Sequence, residues 1–352
     1  MDERLKRKLR RASRRNEPYL FLVLIALAAL IQYQSGQFFT GNNLVSLASA
    51  FIVPGLFTIG AFLVLVSGGI DVSFPALASL SVYVSTVLLI NTNYTGGAWL
   101  AFALAIVVGA LLGAFNGLFV GVFRLPTLIV TLGTTYVFRG FMQGALDSRQ
   151  WATIPDGMRA FGQLELFTAT NRVTGLTARL PVAFLLFLGV LILVSLMLRY
   201  TMFGRSIFSI GGAEVSAHRA GYNVVRTKIL IYVIVGIIAS IAGVIRVSMM
   251  QQLHPTNMLG MELRIIAGTV LGGTAITGGK GSLLGAIMGS LLIVIVVNSM
   301  ILLGIPTSWR SVFTGALIII GTGVSAWQVS DRYRGRRKRR SHMAADGGEQ
   351  AS

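Results

Sequence analysis

Residues 204–223 read GRSIFSIGGAEVSAHRAGYN, a polar and basic stretch set between two long apolar runs. It holds Arg205, Glu214, His218 and Arg219, and each such charge costs roughly 2.5 to 3.5 kcal/mol at the centre of a membrane helix. The stretch therefore faces water or a partner, and the apolar runs on either side read as membrane spans. Within it, Glu214, Ala217 and Ala220 or Gly221 fall three or four residues apart, on one face of a short surface helix. Two roles suit such an element: a connector held in the cytoplasm by its arginines, or a docking element for another protein.

More than half of the 352 residues are apolar (54%) and only 12% are charged, which excludes an ordinary soluble domain and indicates a polytopic membrane protein. Without a cysteine the chain has no disulfide, no thiolate nucleophile and no Cys-built metal site, and its three histidines are scattered. A net charge of +18 would suit nucleic acid, but its distribution does not. Eight Lys or Arg fall in residues 1–17 and seven in the tail from Asp331. Both clusters flank apolar spans, where they act as cytoplasmic anchors attracted to anionic lipid; membrane lipid is the expected partner, and nucleic acid is not. A basic start followed by the apolar run Tyr19–Ile31 also has the outline of a secretory signal. No small-residue cleavage pattern follows in QYQSGQFFTGNN, so the run reads as the first span.

Spans need about 20 apolar residues. The candidates are 18–34, 44–66, 74–91, 97–123, 127–145, 181–198, 229–250, 263–277, 281–303 and 310–328, which predicts an all-α fold of about ten transmembrane helices. An even number follows independently if both basic ends lie in the cytoplasm. The sixth span then exits inside, at a 199–228 loop carrying Arg199, Arg205, Arg219, Arg226 and Lys228. The expected organisation is a basic cytoplasmic tail over 1–17, a transmembrane domain over 18–328 and a second basic cytoplasmic tail over 329–352. The same count places the 146–180 segment outside, although it holds Arg149, Arg159, Arg172 and Arg179.

Two places break the pattern of continuous helices. Ser67-Gly68-Gly69-Ile70-Asp71-Val72-Ser73-Phe74-Pro75 interrupts an apolar run, and the short span at 263–280 ends in GGTAITGGKG. Such breaks are tolerated at membrane depth only where protein or a water-filled cavity receives the freed backbone groups, so both mark interior positions. Each places a Gly-Gly pair before a helix of small residues, a faint internal likeness of the kind seen in transporters. Inside the spans, Gly109, Gly113 and Gly117, and again Gly281, Gly285 and Gly289, recur every four residues, as close helix packing or a pore wall would require.

Only two acids, Asp71 and Glu262, lie within or beside apolar spans. An ionisable group at this depth is a candidate for function, yet each sits beside a break. Asp71 is placed to cap the helix starting near Phe74, with substrate contact as the alternative. Glu262 is placed to cap the eighth span or to pair with Arg264. Ser73, Asn116, Thr131, Thr134, Thr135 and Asn298 supply the donors and acceptors that a path for a hydroxylated solute would need, and each serves equally as an interhelical hydrogen bond. No catalytic residue set is present. Gly278-Gly279-Lys280-Gly281-Ser282 only mimics a phosphate loop, because glycine separates the lysine from the serine and no strand precedes it. If ATP drives this protein, another subunit binds it. A secondary transporter would carry a coupling acid or histidine relay in its core, and a membrane-embedded enzyme would need a nucleophile and base within reach.

The loop GRSIFSIGGAEVSAHRAGYNV resembles the cytoplasmic loop of permease subunits of bacterial ABC importers of the ribose, xylose and autoinducer-2 type. The likeness covers most of residues 44–328. GGIDVSFPALASLS resembles that family's GGIDLS segment; GAFNGLFVGVFRLPTLIVTLGTTYVFRG and MELRIIAGTVLGGTAITGGKGSLLGAIMGSLL resemble two further ordered runs. The 146–180 segment matches nothing in that pattern. The resemblance implies a transport subunit, not an enzyme, with no cofactor, in the bacterial cytoplasmic (inner) membrane. Its implied partners are a second permease subunit (homo- or heterodimer), a cytoplasmic ABC ATPase, and a periplasmic or lipid-anchored substrate-binding protein. It implies import of a monosaccharide or a similar polyol-type solute, with a branched-chain amino-acid permease as the nearest rival. It also makes the loop a coupling helix seated in a cleft of the ATPase, through Gly204, Arg205, Gly211, Gly212, Ala213, Glu214, Ala217 and Gly221.

Overall fold

A computed structural model describes residues 17–147, 149–171, 175–316, 319 and 323 of the chain. From the N-terminus, α1 (Glu17–Ser35), α2 (Gly41–Val66), α3 (Phe74–Asn91), α4 (Trp99–Gly121) and α5 (Thr127–Gly144) follow one another through short connections. Then come α6 (Asp156–Gln163), the strands β1 (Glu165–Thr170) and β2 (Thr177–Pro181), and α7 (Ala183–Tyr200). After it follow α8 (Met202–Gly212), α9 (Glu214–Arg219), α10 (Val224–Met250), α11 (Glu262–Leu271), α12 (Leu283–Leu302) and a 3-10 turn at Thr307–Trp309.

Seven of these helices, α1, α2, α3, α4, α7, α10 and α12, are long and apolar enough to cross a membrane, so the chain is a helical, multi-pass membrane protein. The remaining three expected spans do not meet that measure among the described residues. α5 has the length, but four threonines and Arg139 make it too polar. α11 stops after 10 residues, where Gly272 and Gly273 end it. The run expected at 310–328 is helical over 310–316 and then falls largely outside the described residues, as do both basic tails.

α2 lies at the centre of the bundle: 83% of its membrane-length window is buried, against 11% for α1 and 17% for α7. Thr40 opens it by accepting the Asn43 N–H. Phe57 of α2 meets Phe74 of α3 at 5.1 Å between ring centroids, packing the helices on the two sides of the first break against each other.

The glycine repeats are packing surfaces. A Cβ on Gly113 would overlap the Tyr232 carbonyl, and one on Gly117 would stand 2.8 Å from the Ile229 Cα, so α4 and α10 meet backbone to backbone. Gly285 and Gly289 bring α12 equally close to Gly272 and Gly268. Replacing Gly113 by leucine is therefore expected to cost at least about 2 kcal/mol by overpacking and to cut the yield of monodisperse protein extracted in detergent. Gly133→Ala, at a position with open space around it, should leave that yield unchanged.

The described residues of the 146–180 segment, left without a fold by the sequence, are ordered by specific contacts. The Tyr83 hydroxyl reaches the carbonyls of Leu146 and Arg149 at 3.1 and 3.0 Å. Trp151 exchanges two backbone hydrogen bonds of 3.0 Å with Leu253, and the Arg149 guanidinium lies 4.4 Å over its ring. β1 and β2 pair antiparallel, with a bulge near Glu165, and the Ser49 hydroxyl donates to the Arg179 carbonyl at 2.8 Å to fix them on α2. Arg179 also pairs with Glu165 at 2.7 Å.

Candidate functional site

The first helix break shows how buried backbone is satisfied away from a helix. After Val66 the chain turns through Gly68, at φ +87°, a conformation that excludes most side chains. It then runs without helical bonds until α3 begins at Phe74, with Pro75 in the first turn. Asp71 is buried, and its Oδ1 accepts the Ser73 N–H at 2.6 Å and the Ser73 hydroxyl at 2.7 Å. This corrects the expected cap. Ser73 is the residue that precedes α3, and it makes no side-chain capping bond; Asp71 closes a turn onto Ser73 one step before the helix.

Three of the polar residues expected along a path converge here from separate helices. The Asn116 amide of α4 donates to Ser73 Oγ at 2.8 Å. The Thr131 hydroxyl of α5 accepts the Val72 N–H at 3.3 Å and donates to the Ile70 carbonyl at 3.2 Å. Thr134 and Thr135 turn their hydroxyls onto the Thr131 carbonyl, at 3.3 and 2.6 Å. Asn298 stays apart, donating to the Val294 carbonyl of its own helix at 2.8 Å. Glu262 accepts the Gly260 N–H at 2.9 Å, ahead of α11, and forms no ion pair with Arg264.

The residue types explain the convergence. Gly109, Gly113, Asn116 and Gly117 fall on one buried stripe of α4, so the glycines that let α10 approach also carry the Asn116 amide inward. Asn116 Oδ1 is left buried without a hydrogen-bond partner. A separate cavity of about 580 Å³ is lined by Phe62, Ser195, Arg199, Phe208, Lys280 and Ser282, among others, and by none of Ser73, Asn116, Thr131, Thr134 or Asn298.

The polar loop is two helices, where the sequence suggested one. Thr201 starts α8 by accepting the Gly204 N–H at 3.0 Å. Extended backbone at Ala213, φ −165°, separates α8 from α9. Ala217 is buried against Ile210 and Val224, and Gly221 at φ +87° ends the turn. Arg205, Gly212, Ala213, Glu214 and Val215 are exposed. Gly204 is buried at the root of α8 against Leu198. Glu214 is tied back to Lys228 at the foot of α10 by an ion pair of 2.8 Å. Gly211 and Gly212 differ sharply: a Cβ on Gly211 would overlap the Val66 carbonyl, whereas one on Gly212 would meet nothing within 4 Å. No signal in the sequence separates these two glycines.

Comparison with known proteins now bears on this arrangement. A family model described as the permease component of the branched-chain amino acid transport system matches residues 43–321. The ribose import permease protein RbsC of Escherichia coli (strain K12) is 30% identical over 300 residues, covering 85% of this chain and 90% of its own. The xylose/arabinose import permease protein XylH of Sulfolobus acidocaldarius is 31% identical over 317 residues, 87% of this chain and 84% of its own. The L-arabinose transport system permease protein AraH of Escherichia coli (strain K12) is 31% identical over 303 residues, 86% of each chain. No solved structure matches. With a model match over most of its length and relatives at this identity along nearly their whole chains, the protein belongs to the permease family of ABC importers, whose members are transport subunits and not enzymes.

Proposed function

We propose that this chain forms the translocation path of an ABC importer for a monosaccharide or a similar small polyol, in the bacterial inner membrane. The observation that carries the reading is the near full-length similarity to permeases named for ribose, xylose and arabinose import. The expected partners are an ATPase that binds and hydrolyses ATP, a substrate-binding protein, and a second permease subunit. The α8–α9 loop is the docking element for the ATPase, because it presents a small, exposed surface outside the spans. Ser73, Asn116 and Thr131 serve the path by holding the first break, and together with Thr134 they meet solute when that break opens.

The test is to purify the cognate binding protein, identify its bound ligand by mass spectrometry, and measure ATP-driven uptake in the reconstituted complex. Ribose, xylose or arabinose is expected to be bound and taken up. Leucine as the bound and transported solute would overturn the reading in favour of a branched-chain amino-acid importer.

The proposed topology has ten spans across 18–328 with both basic tails, 1–17 and 329–352, in the cytoplasm. Reporter fusions at residues 2, 212 and 340 should all give inside signals. An external signal at either end would discard this topology.

A further inference from the structure

Five glycines from three distant stretches, Gly68 of the first helix break, Gly211 and Gly212 of the loop, and Gly278 and Gly279 of the second break, meet at a single crossing made of backbone alone. Gly279 donates its N–H to the Val66 carbonyl at 2.8 Å, which satisfies one of the carbonyls left open at the end of α2. A Cβ on Gly278 would stand 2.6 Å from the Gly68 Cα and 2.8 Å from the Gly211 oxygen. One on Gly279 would stand 2.6 Å from the Gly212 Cα, and one on Gly211 would overlap the Val66 carbonyl. Gly68, Gly278 and Gly279 have φ of +87°, +82° and +71°, a conformation that favours glycine at all three, and at Gly278 and Gly279 the space requires it as well.

We infer that this crossing is the mechanical joint of the importer, through which movement of the α8–α9 loop displaces both helix breaks together. The inference rests on the docking role proposed above for that loop. Side chains absorb small displacements by changing rotamer, whereas backbone packed on backbone has no such compliance. A shift of the exposed Ala213–Glu214 step therefore reaches Gly211 directly. From Gly211 it passes to Val66 and Gly68, five and three residues before Asp71, and to Gly278 and Gly279, which lead into α12. The Asp71–Ser73–Asn116 chain and the start of α12 would move as one. Gly68, Gly211, Gly212, Gly278 and Gly279 are thus positioning residues for transport, which touch no solute themselves.

The test compares Gly278→Ala, whose Cβ would stand 2.6 Å from the Gly68 Cα and so part the crossing, with Gly304→Ala, at φ +67° but with nothing within 4 Å of its Cβ. Gly68→Ala, whose Cβ would meet Gly211 only at 3.5 Å, is the milder variant at the same crossing. Each is purified in complex with the ATPase, and retained ATPase, ATP hydrolysis and uptake are measured per amount of folded permease. Gly278→Ala is expected to retain the ATPase and its hydrolysis while uptake falls at least tenfold, Gly68→Ala to lose less, and Gly304→Ala to retain all three. Uptake by Gly278→Ala and Gly68→Ala within twofold of wild type, or an equal loss in Gly304→Ala, would show that the crossing is not the joint. The two readings fail separately: loss of the docking role would appear as wild-type permease that does not retain the ATPase, whereas failure of the joint would appear with the ATPase still bound.

Discussion

Gly212→Trp and Glu214→Arg are each expected to leave the permease inserted at normal abundance while abolishing both uptake and co-purification of the ATPase. The Gly212 Cβ direction is empty, so an indole there finds room within the chain and projects from the loop into the volume a docking partner would occupy. Glu214 works differently. Its carboxylate holds Lys228 at 2.8 Å, with about half of its side chain still exposed. Arginine at this position replaces an attraction by a repulsion at the foot of α10 and presents the wrong charge to the partner. An exposed ion pair contributes at most about 1 kcal/mol to the fold, so abundance should hold. Bulk or a reversed charge inside a close-fitting contact removes binding almost entirely. Membrane abundance by immunoblot, ATPase recovered on affinity purification, and uptake are the three measurements. Full uptake with the ATPase retained in either variant would reduce the loop to a connector.

The second large effect is expected at Asp71. Leucine removes the acceptor of both the Ser73 N–H and the Ser73 hydroxyl, and each buried donor left without a partner costs about 1 to 3 kcal/mol. Ser73 is also the acceptor of Asn116, so the loss extends to the link between α3 and α4. Asp71→Leu should therefore lower the amount of folded protein severalfold, read by size-exclusion chromatography with fluorescence detection. Asp71→Asn keeps an oxygen in the accepting position, so folding and much of the uptake should survive. If the asparagine variant folds at wild-type levels and yet transports nothing, the charge itself takes part in transport, and the structural role argued for Asp71 is wrong.

Part of this site was legible in the residues. Polar groups inside apolar spans are few enough to be picked out by eye, and Ser73, Asn116 and Thr131 were among them. That these three share one cluster was not legible, because the contacts join residues 43 and 59 positions apart. Asn298 has the same chemistry in a similar helix and lies outside the cluster. The β-hairpin was missed, although ELFTAT and TARLP carry a strand-like mix around Gly175, whose φ of +69° suits a turn. The segment was placed outside by the span count alone and was not read for strands.

What the sequence determined by itself is the membrane class, the polar stretch at 204–223 between two apolar helices, the two helix breaks and the family. Each depends on local composition or on ordered motifs, and the cost of a charge or of an open backbone group in lipid is large enough to decide them within a short window. Only the tertiary structure decided which glycine of the pair Gly211–Gly212 is locked and which is free, that Asp71 turns onto Ser73 without capping α3, and that the two breaks and the loop meet at one crossing. Those outcomes depend on how closely distant backbones approach one another. Two adjacent glycines look identical in a sequence, and only the Val66 carbonyl standing over one of them makes them different.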